Sequence, residues 1–171
     1  MKHQFLLNEI WILTFGGAFQ RSGVYSANVS EDMRSEIRNA LRSFVDEVLV
    51  PKYVNTVPSD IEHVDNIKSL CETSTAYKKY LSNGAINFGV SQKLLNLHLK
   101  YRWCIGDIKE PPHFPVDRII QKKLRYPIVP WTQMKDETDY MKIIAFAKAE
   151  LKNHNCKSLA TLELKLFDRR N

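Results

Sequence analysis

Apolar side chains recur at three- and four-residue spacing in several separate stretches of the chain, which is the pattern of amphipathic helices. The clearest stretch follows Ser30, a favoured helix N-cap, and keeps this spacing as far as Leu49. Pro51 comes two residues later and predicts the end of that helix. Ser59 begins a second helix by the same rule, with apolar positions that recur as far as Leu70.

The same signals predict helices along most of the remaining chain. They cover residues 73–81, 91–104, 117–125, 136–153 and 158–167. The apolar run at residues 9–15 is either a buried helix or an extended arm, because a single strand would have no partner. Residues 16–23 contain three glycines and are expected to form a loop. No repeat or break in composition divides the 171 residues, so we predict one compact, all-α, multi-helix domain.

The composition is that of a soluble globular protein, with 44% apolar and 26% charged residues. No apolar run approaches the roughly 20 residues that span a bilayer, and residues 1–15 lack the features of a signal peptide. Cys71, Cys104 and Cys156 have no metal-binding spacing and indicate a reducing compartment. We therefore expect a cytoplasmic monomer without a metal, a cofactor or a membrane partner.

Positive charge and candidate chemistry coincide in one segment. Residues 93–125 hold eight lysines and arginines against three acids, whereas the whole chain has a net charge of +6. Such a segment can attract phosphate, although it is also typical of a solvated helix face. Within it, Lys93 follows a glycine turn that the sequence places at residues 86–90, and Asp117 begins the next predicted helix. An amine and a carboxylate at two helix starts could meet across one cleft as a covalent catalytic couple.

This segment resembles the helix-hairpin-helix DNA glycosylases, the superfamily of endonuclease III and 8-oxoguanine DNA glycosylase. Their signature is a Gly-hydrophobic-Gly-x-Lys turn, a helix, and a loop that ends in Val-Asp. Gly89, Val90 and Lys93 match the first part, with Ser91 in place of the second glycine, and Val116-Asp117 matches the second. The resemblance covers about a quarter of the chain. It places the helix-hairpin-helix motif at about residues 76–104 and the catalytic loop and helix at residues 106–125.

The resemblance implies roles for individual residues. Lys93 would be the nucleophile and Asp117 the catalytic carboxylate. The residues expected to contact DNA are Gly89, Val90, Ser91, Gln92, Lys100, Arg118 and Lys122. The residues expected to line the pocket for a flipped base, chosen because they flank glycine- or proline-rich segments, are Phe19, Gln20, His113 and Phe114.

Lys93 and Asp117 also have ordinary structural explanations, as an exposed first-turn lysine and an N-cap. Three functions therefore stay open. The first is a DNA glycosylase, with or without AP-lyase activity, that excises a damaged or modified base in repair or defence. The second is a non-catalytic helix-hairpin-helix DNA-binding protein, and the third is a helical protein-interaction module. Only the first two predict binding to DNA that weakens steeply as salt rises.

Overall fold

The computed structural model describes residues 1–167, and within that part the chain is all-α, as predicted. The helices are α1 (Lys2–Phe19), α2 (Glu31–Phe44), α3 (Pro51–Val54), α4 (Asp60–Ser74), α5 (Phe88–Cys104), α6 (Arg118–Lys123), α7 (Glu137–Glu150) and α8 (Leu159–Leu166). A π-helical turn spans Val45–Leu49, and 3₁₀ turns span Thr75–Tyr77 and Trp131–Gln133. In the described chain, β-type pairing is limited to an isolated antiparallel bridge between Tyr25 and Leu81.

Side-chain caps explain where most of these helices begin. Ser30 caps α2, and Ser59 forms a capping box with Glu62 at the start of α4. Asp136 and Ser158 cap α7 and α8. These caps satisfy backbone amides that have no partner inside a helix. The predicted starts of all four helices are confirmed.

Three predicted boundaries are wrong. Pro51 does not end the α2 segment, because the chain passes through the π turn and Pro51 enters the first turn of α3, where its missing N–H costs nothing. Residues 73–81 complete α4 and then form only a 3₁₀ turn and further turns. Gly16 and Gly17 lie inside α1, so the predicted loop begins only at Gln20.

The predicted glycine hairpin at residues 86–90 does not form. The helix α5 already begins at Phe88, because Asn87 caps it by accepting the amide of Val90 at 2.9 Å. Gly89 is therefore helical, and it serves close packing instead of a turn. A Cβ at this position would lie 1.6 Å from the carbonyl oxygen of Trp131. The absence of a side chain lets the Trp131–Gln133 turn pack directly against α5.

The helix α5 lies in the middle of the molecule and is buried from Phe88 to Lys100. It contacts α1 and α4, and most of its buried apolar residues belong to one hydrophobic core within residues 1–167. Gly17 allows α1 to approach closely, because a Cβ there would lie 2.6 Å from Leu97 Cδ2. None of the helices in residues 1–167 has the length and apolar character that a membrane span requires.

Candidate active site

Lys93 and Asp117 are in direct contact. The Lys93 Nζ lies 2.7 Å from Asp117 Oδ2, although the two residues are 24 positions apart in the chain. Their side chains are 11% and 16% exposed, so the pair is shielded but still reachable from solvent. The Lys93 Nζ also lies 4.7 Å from the centre of the Trp131 ring, which adds a cation–π contact. A potential nucleophile therefore stands beside a carboxylate.

The two carboxylate oxygens of Asp117 have different partners. Its Oδ1 accepts the backbone amides of Ile119 and Ile120 at 2.9 and 3.0 Å, which caps α6. Its Oδ2 accepts the hydrogen bond from Lys93. The helix start fixes the carboxylate and leaves one oxygen at the ion pair. Asp117 can therefore serve as an N-cap and take part in chemistry at the same time.

Two buried glutamines hold the backbone on either side of Asp117. Gln92 donates to the carbonyl of Val116 at 2.8 Å and accepts the amide of Val116 at 3.0 Å. Gln121 forms the same kind of paired contact with Val129 and also donates to the carbonyl of Asp117 at 3.1 Å. Both glutamines are fully buried. They satisfy backbone groups that an irregular buried loop would otherwise leave unpaired.

A buried hydrogen-bond network runs from Gln92 to the molecular surface. Asn96 donates to Gln92 Oε1 at 3.3 Å and to the hydroxyl of Tyr140 at 3.0 Å. The Tyr140 hydroxyl contacts His113 Nδ1 at 2.9 Å, and His113 Nε2 contacts Asp60 Oδ1 at 3.1 Å. We call these five residues the core polar network. It links the loop that carries Asp117 to the start of α4.

The histidines at this network have donor and acceptor partners that suit the neutral ring. His63 Nε2 lies 2.9 Å from Asn96 Oδ1 and donates to it, while its Nδ1 accepts from the Tyr53 hydroxyl at 2.8 Å. Burial lowers the pKa of His113 to about 4, although the nearby Asp60 carboxylate opposes the change. Burial also places the pKa of His63 well below its ordinary value. Both rings are therefore neutral at neutral pH.

The Lys93–Asp117 pair opens into a cavity of about 520 Å³ that we call the main cavity. Its lining residues come from α1, α5, α8 and the chain around the start of α6: Ile12, Leu13, Gly16, Gly17, Gln20, Lys93, Leu97, Lys100, Tyr101, Pro115, Asp117, Ile119, Glu163 and Phe167. A second cavity of about 200 Å³ adjoins the same ion pair and is also lined by Arg21, Arg118 and Trp131. The main cavity has the size and mostly apolar walls of a small-ligand site.

Most of the expected DNA contacts are not available on the surface. Gly89, Val90, Ser91 and Gln92 are buried in the first turns of α5. The amide of Gly89 donates to the carbonyl of Met134, so it cannot bind a phosphate in this conformation. Lys100 is 5% exposed and forms an ion pair with Glu163. By contrast, Arg118 and Lys122 are exposed on α6, beside Asp117.

The expected base-pocket residues divide in a similar way. Gln20 lines both cavities at the ion pair. Phe19 lies outside them, where its ring packs against Phe15 and Tyr25. His113 and Phe114 are wrong as pocket residues, because they are 0% and 1% exposed in the core. His113 acts within the core polar network instead.

Glu163 of α8 lines the main cavity, and no sequence signal assigned it to the site. Gly16, Gly17 and Arg21 belong to residues 16–23, which the sequence predicted as a loop near the base pocket; the two glycines line both cavities from within α1, and Arg21 lines the second cavity. A carboxylate in the last helix lies 70 positions from Lys93 in the sequence, so only the tertiary fold brings it near. Trp131 is an aromatic residue in a proline-rich stretch, and this is only a weak sequence signal for a place at the site.

Two further findings concern metal sites and similarity to known proteins. Within residues 1–167, no group of three or more histidine, cysteine, aspartate or glutamate side chains is arranged to hold a metal ion. Comparisons of the chain with protein-family models, with curated proteins and with solved structures found no match. Inferences about function therefore depend on the geometry of the site.

Proposed function

We propose that the protein is a DNA glycosylase with AP-lyase activity, in which Lys93 attacks the sugar of a flipped nucleotide. The observation that carries this proposal is the 2.7 Å contact between Lys93 Nζ and Asp117 Oδ2 in the wall of the main cavity. An enzyme that removes a base must admit a nucleotide taken out of the helical stack. A cavity of about 520 Å³ lies beside the Lys93 amine and offers space for such a nucleotide, which supports the proposal.

Each of the two groups has a defined part in the proposed reaction. Lys93 must lose a proton before it attacks, and Asp117 Oδ2 is in position to take that proton and pass it to solvent. The amine then bonds to the anomeric carbon while the bond to the base breaks. Positive charge develops on the sugar in this step, and the carboxylate fixed by the start of α6 stabilises it. The resulting Schiff base accounts for the lyase activity.

Exposed cations beside the cavity support DNA as the partner. Arg118, Lys122, Lys123 and Arg125 are all exposed, and they lie on α6 or directly after it. Contacts from such residues to phosphate groups supply affinity that does not depend on sequence. The same cations favour the second candidate, a DNA-binding protein without catalysis. The two candidates differ only in whether Lys93 and Asp117 perform chemistry.

Borohydride trapping tests the proposal directly. The protein is incubated with oligonucleotides that carry uracil, hypoxanthine, 8-oxoguanine or an abasic site, and parallel samples are treated with alkali to reveal base release. We expect wild-type protein to form a covalent adduct and Lys93→Gln to form none. Asp117→Asn should release base at least about 10²-fold more slowly, because it removes the charge that stabilises the sugar cation. Both variants should retain most of their DNA affinity.

Lys142→Gln is a matched control for the lysine substitution. Lys142 is an exposed lysine of α7 whose ion pair with Asp139 lies outside both cavities, and its variant should be trapped like wild-type protein. Salt-sensitive DNA binding without an adduct or base release would indicate the binding protein. Failure to bind DNA at low salt would contradict both candidates and leave the protein-interaction module.

A further inference from the structure

Lys100 and Glu163 form a second ion pair in the wall of the main cavity. The Lys100 Nζ lies 2.9 Å from Glu163 Oε1, and the two side chains are only 6% and 4% exposed. Removing two charges from water is costly unless hydrogen bonds satisfy both groups. The function proposed above assigns no role to this pair, although it shares a cavity with Lys93 and Asp117.

The Glu163 carboxyl keeps an unused hydrogen-bonding oxygen. Its Oε1 contacts Lys100, whereas its Oε2 is buried and has no hydrogen-bond partner within residues 1–167. Buried polar atoms of side chains usually have a partner, so this oxygen has capacity for a ligand in the cavity. Burial raises the pKa of the Glu163 carboxyl above its ordinary value, although the Lys100 ammonium opposes the change. The Glu163 carboxyl therefore keeps its proton to a higher pH than an ordinary glutamate does.

The two carboxyls of the cavity have different surroundings. Asp117 accepts two backbone amides and the Lys93 ammonium, whereas Glu163 contacts one ammonium and is more deeply buried. Unequal surroundings of this kind allow one carboxyl to act as a base or electrostatic stabiliser and the other as an acid. The proposed mechanism already uses Asp117 in the first way.

We propose that Glu163 is the general acid of the reaction, and that the substrate is a base that carries no charge while it is attached to the sugar. This inference rests on the proposed glycosylase function. A neutral base is a poor leaving group until it gains a proton, whereas an alkylated, cationic base leaves without one. Release of a neutral base therefore needs an acid in the cavity wall, whereas release of a cationic base does not.

The proton and the electron pairs balance in this step. The lone pair of Lys93 Nζ forms the new bond to the anomeric carbon, and the carbon–nitrogen bond breaks with its electron pair passing to the base. The proton of Glu163 moves to the departing base, which leaves as a neutral molecule. Lys100 then stabilises the Glu163 carboxylate, which regains its proton from water.

Comparison of base release with abasic-site trapping separates the acid from the nucleophile. Glu163→Gln keeps an oxygen that can accept from Lys100 but has no acidic proton to donate. With the neutral-base oligonucleotide that wild-type protein cleaves fastest, single-turnover release should fall about 10²-fold or more. Trapping on an abasic oligonucleotide should stay near the wild-type level, because no base has to leave. Lys93→Gln should lose both activities.

The pH dependence of wild-type protein gives a second measurement without any substitution. Release needs protonated Glu163, so its rate should have a limb that falls as pH rises, whereas trapping on an abasic site does not use that proton and should lack this limb. The groups that face Glu163 are Lys93, Lys100 and Cys104 of α5 and Asp117 at the start of α6. Loss of the falling limb in Glu163→Gln assigns that limb to Glu163 and not to these neighbours.

The possible outcomes distinguish this inference from the proposed function. If Glu163→Gln releases base at the wild-type rate and with the wild-type pH profile, the general-acid role is wrong and the glycosylase proposal stands. Loss of both release and trapping, together with a lower unfolding temperature, would show that Glu163 is structural. If wild-type protein neither traps nor releases any base, the proposed function itself fails.

Discussion

Gln92 connects the core polar network to the loop that carries Asp117. Leucine at this position keeps a similar volume but leaves the amide and carbonyl of Val116 without their partner. An unpaired buried backbone group costs about 1–3 kcal/mol, so Gln92→Leu should lower the free energy of unfolding by about 2 kcal/mol or more. It should also slow base release, because Asp117 is then less well fixed, with little change in DNA affinity. Denaturant unfolding and single-turnover release measure the two effects.

Asn66→Leu is the control for this experiment. It also removes a buried side-chain amide, but this amide donates to Tyr53 and not to the loop that carries Asp117. The side chain of Asn66 donates to the Tyr53 hydroxyl at 3.0 Å, and the residue is 4% exposed. The substitution should destabilise the fold without an equivalent loss of base release. Equal catalytic losses in the two variants would mean that Gln92 contributes stability alone.

Single residues differ in how far the sequence predicts them. Asp117 was predictable because N-capping is a local interaction, and the structure shows that cap. Gln92 was expected to contact DNA and His113 to line the base pocket, but both are buried with partners from distant parts of the chain. Polar residues give no local sign of such partners. Burial on all sides of α5 also removes the contrast between an apolar and a polar face that identifies buried positions.

At the scale of elements, the position of Gly89 governs how the Trp131–Gln133 turn packs on α5. A methyl group here would collide with the backbone of Trp131, at a carbonyl oxygen only 1.6 Å from the ideal Cβ. Backbone cannot move aside as a flexible side chain can, so Gly89→Ala should lower the free energy of unfolding by about 2 kcal/mol or more. Thermal and denaturant unfolding check this value.

Gly16→Ala provides the matched control, because it places the same methyl group in α1 with nothing within 4 Å. Alanine is the better helix former, so this variant should be as stable as wild-type protein or more stable by up to about 1 kcal/mol. Equal destabilisation by the two substitutions would contradict the packing explanation for Gly89.

Element boundaries follow from caps more reliably than from glycine. Ser30, Ser59 and Ser158 predicted their helices because each satisfies backbone amides locally. The hairpin prediction at residues 86–90 was wrong because Gly89 was taken as a turn residue, while the decisive signal was the cap at Asn87. The close packing that requires glycine involves Trp131, which no local pattern connects to Gly89.

At the scale of the whole molecule, the buried neutral histidines should make stability depend on pH. The pKa of His113 is lowered from 6.5 to about 4 by burial, and that of His63 is also well below 6.5. As pH falls below about 6.5, the unfolded chain therefore binds protons that the folded chain does not, and the free energy of unfolding decreases. The contribution of His113 should level off below about pH 4, where the folded protein also binds its proton.

Denaturant unfolding at intervals between about pH 7.5 and 4 tests this dependence. The pKa of Glu163 is raised, so its titration acts in the opposite direction, and the slope must be assigned by comparing variants. His113→Gln should be less stable than wild-type protein near neutral pH, since it loses contacts to Tyr140 and Asp60. Its stability should nevertheless decrease less steeply as pH falls, because the unfolded chain now gains one proton fewer. A slope identical to that of wild-type protein would show that His113 is not held neutral by its burial in the core polar network.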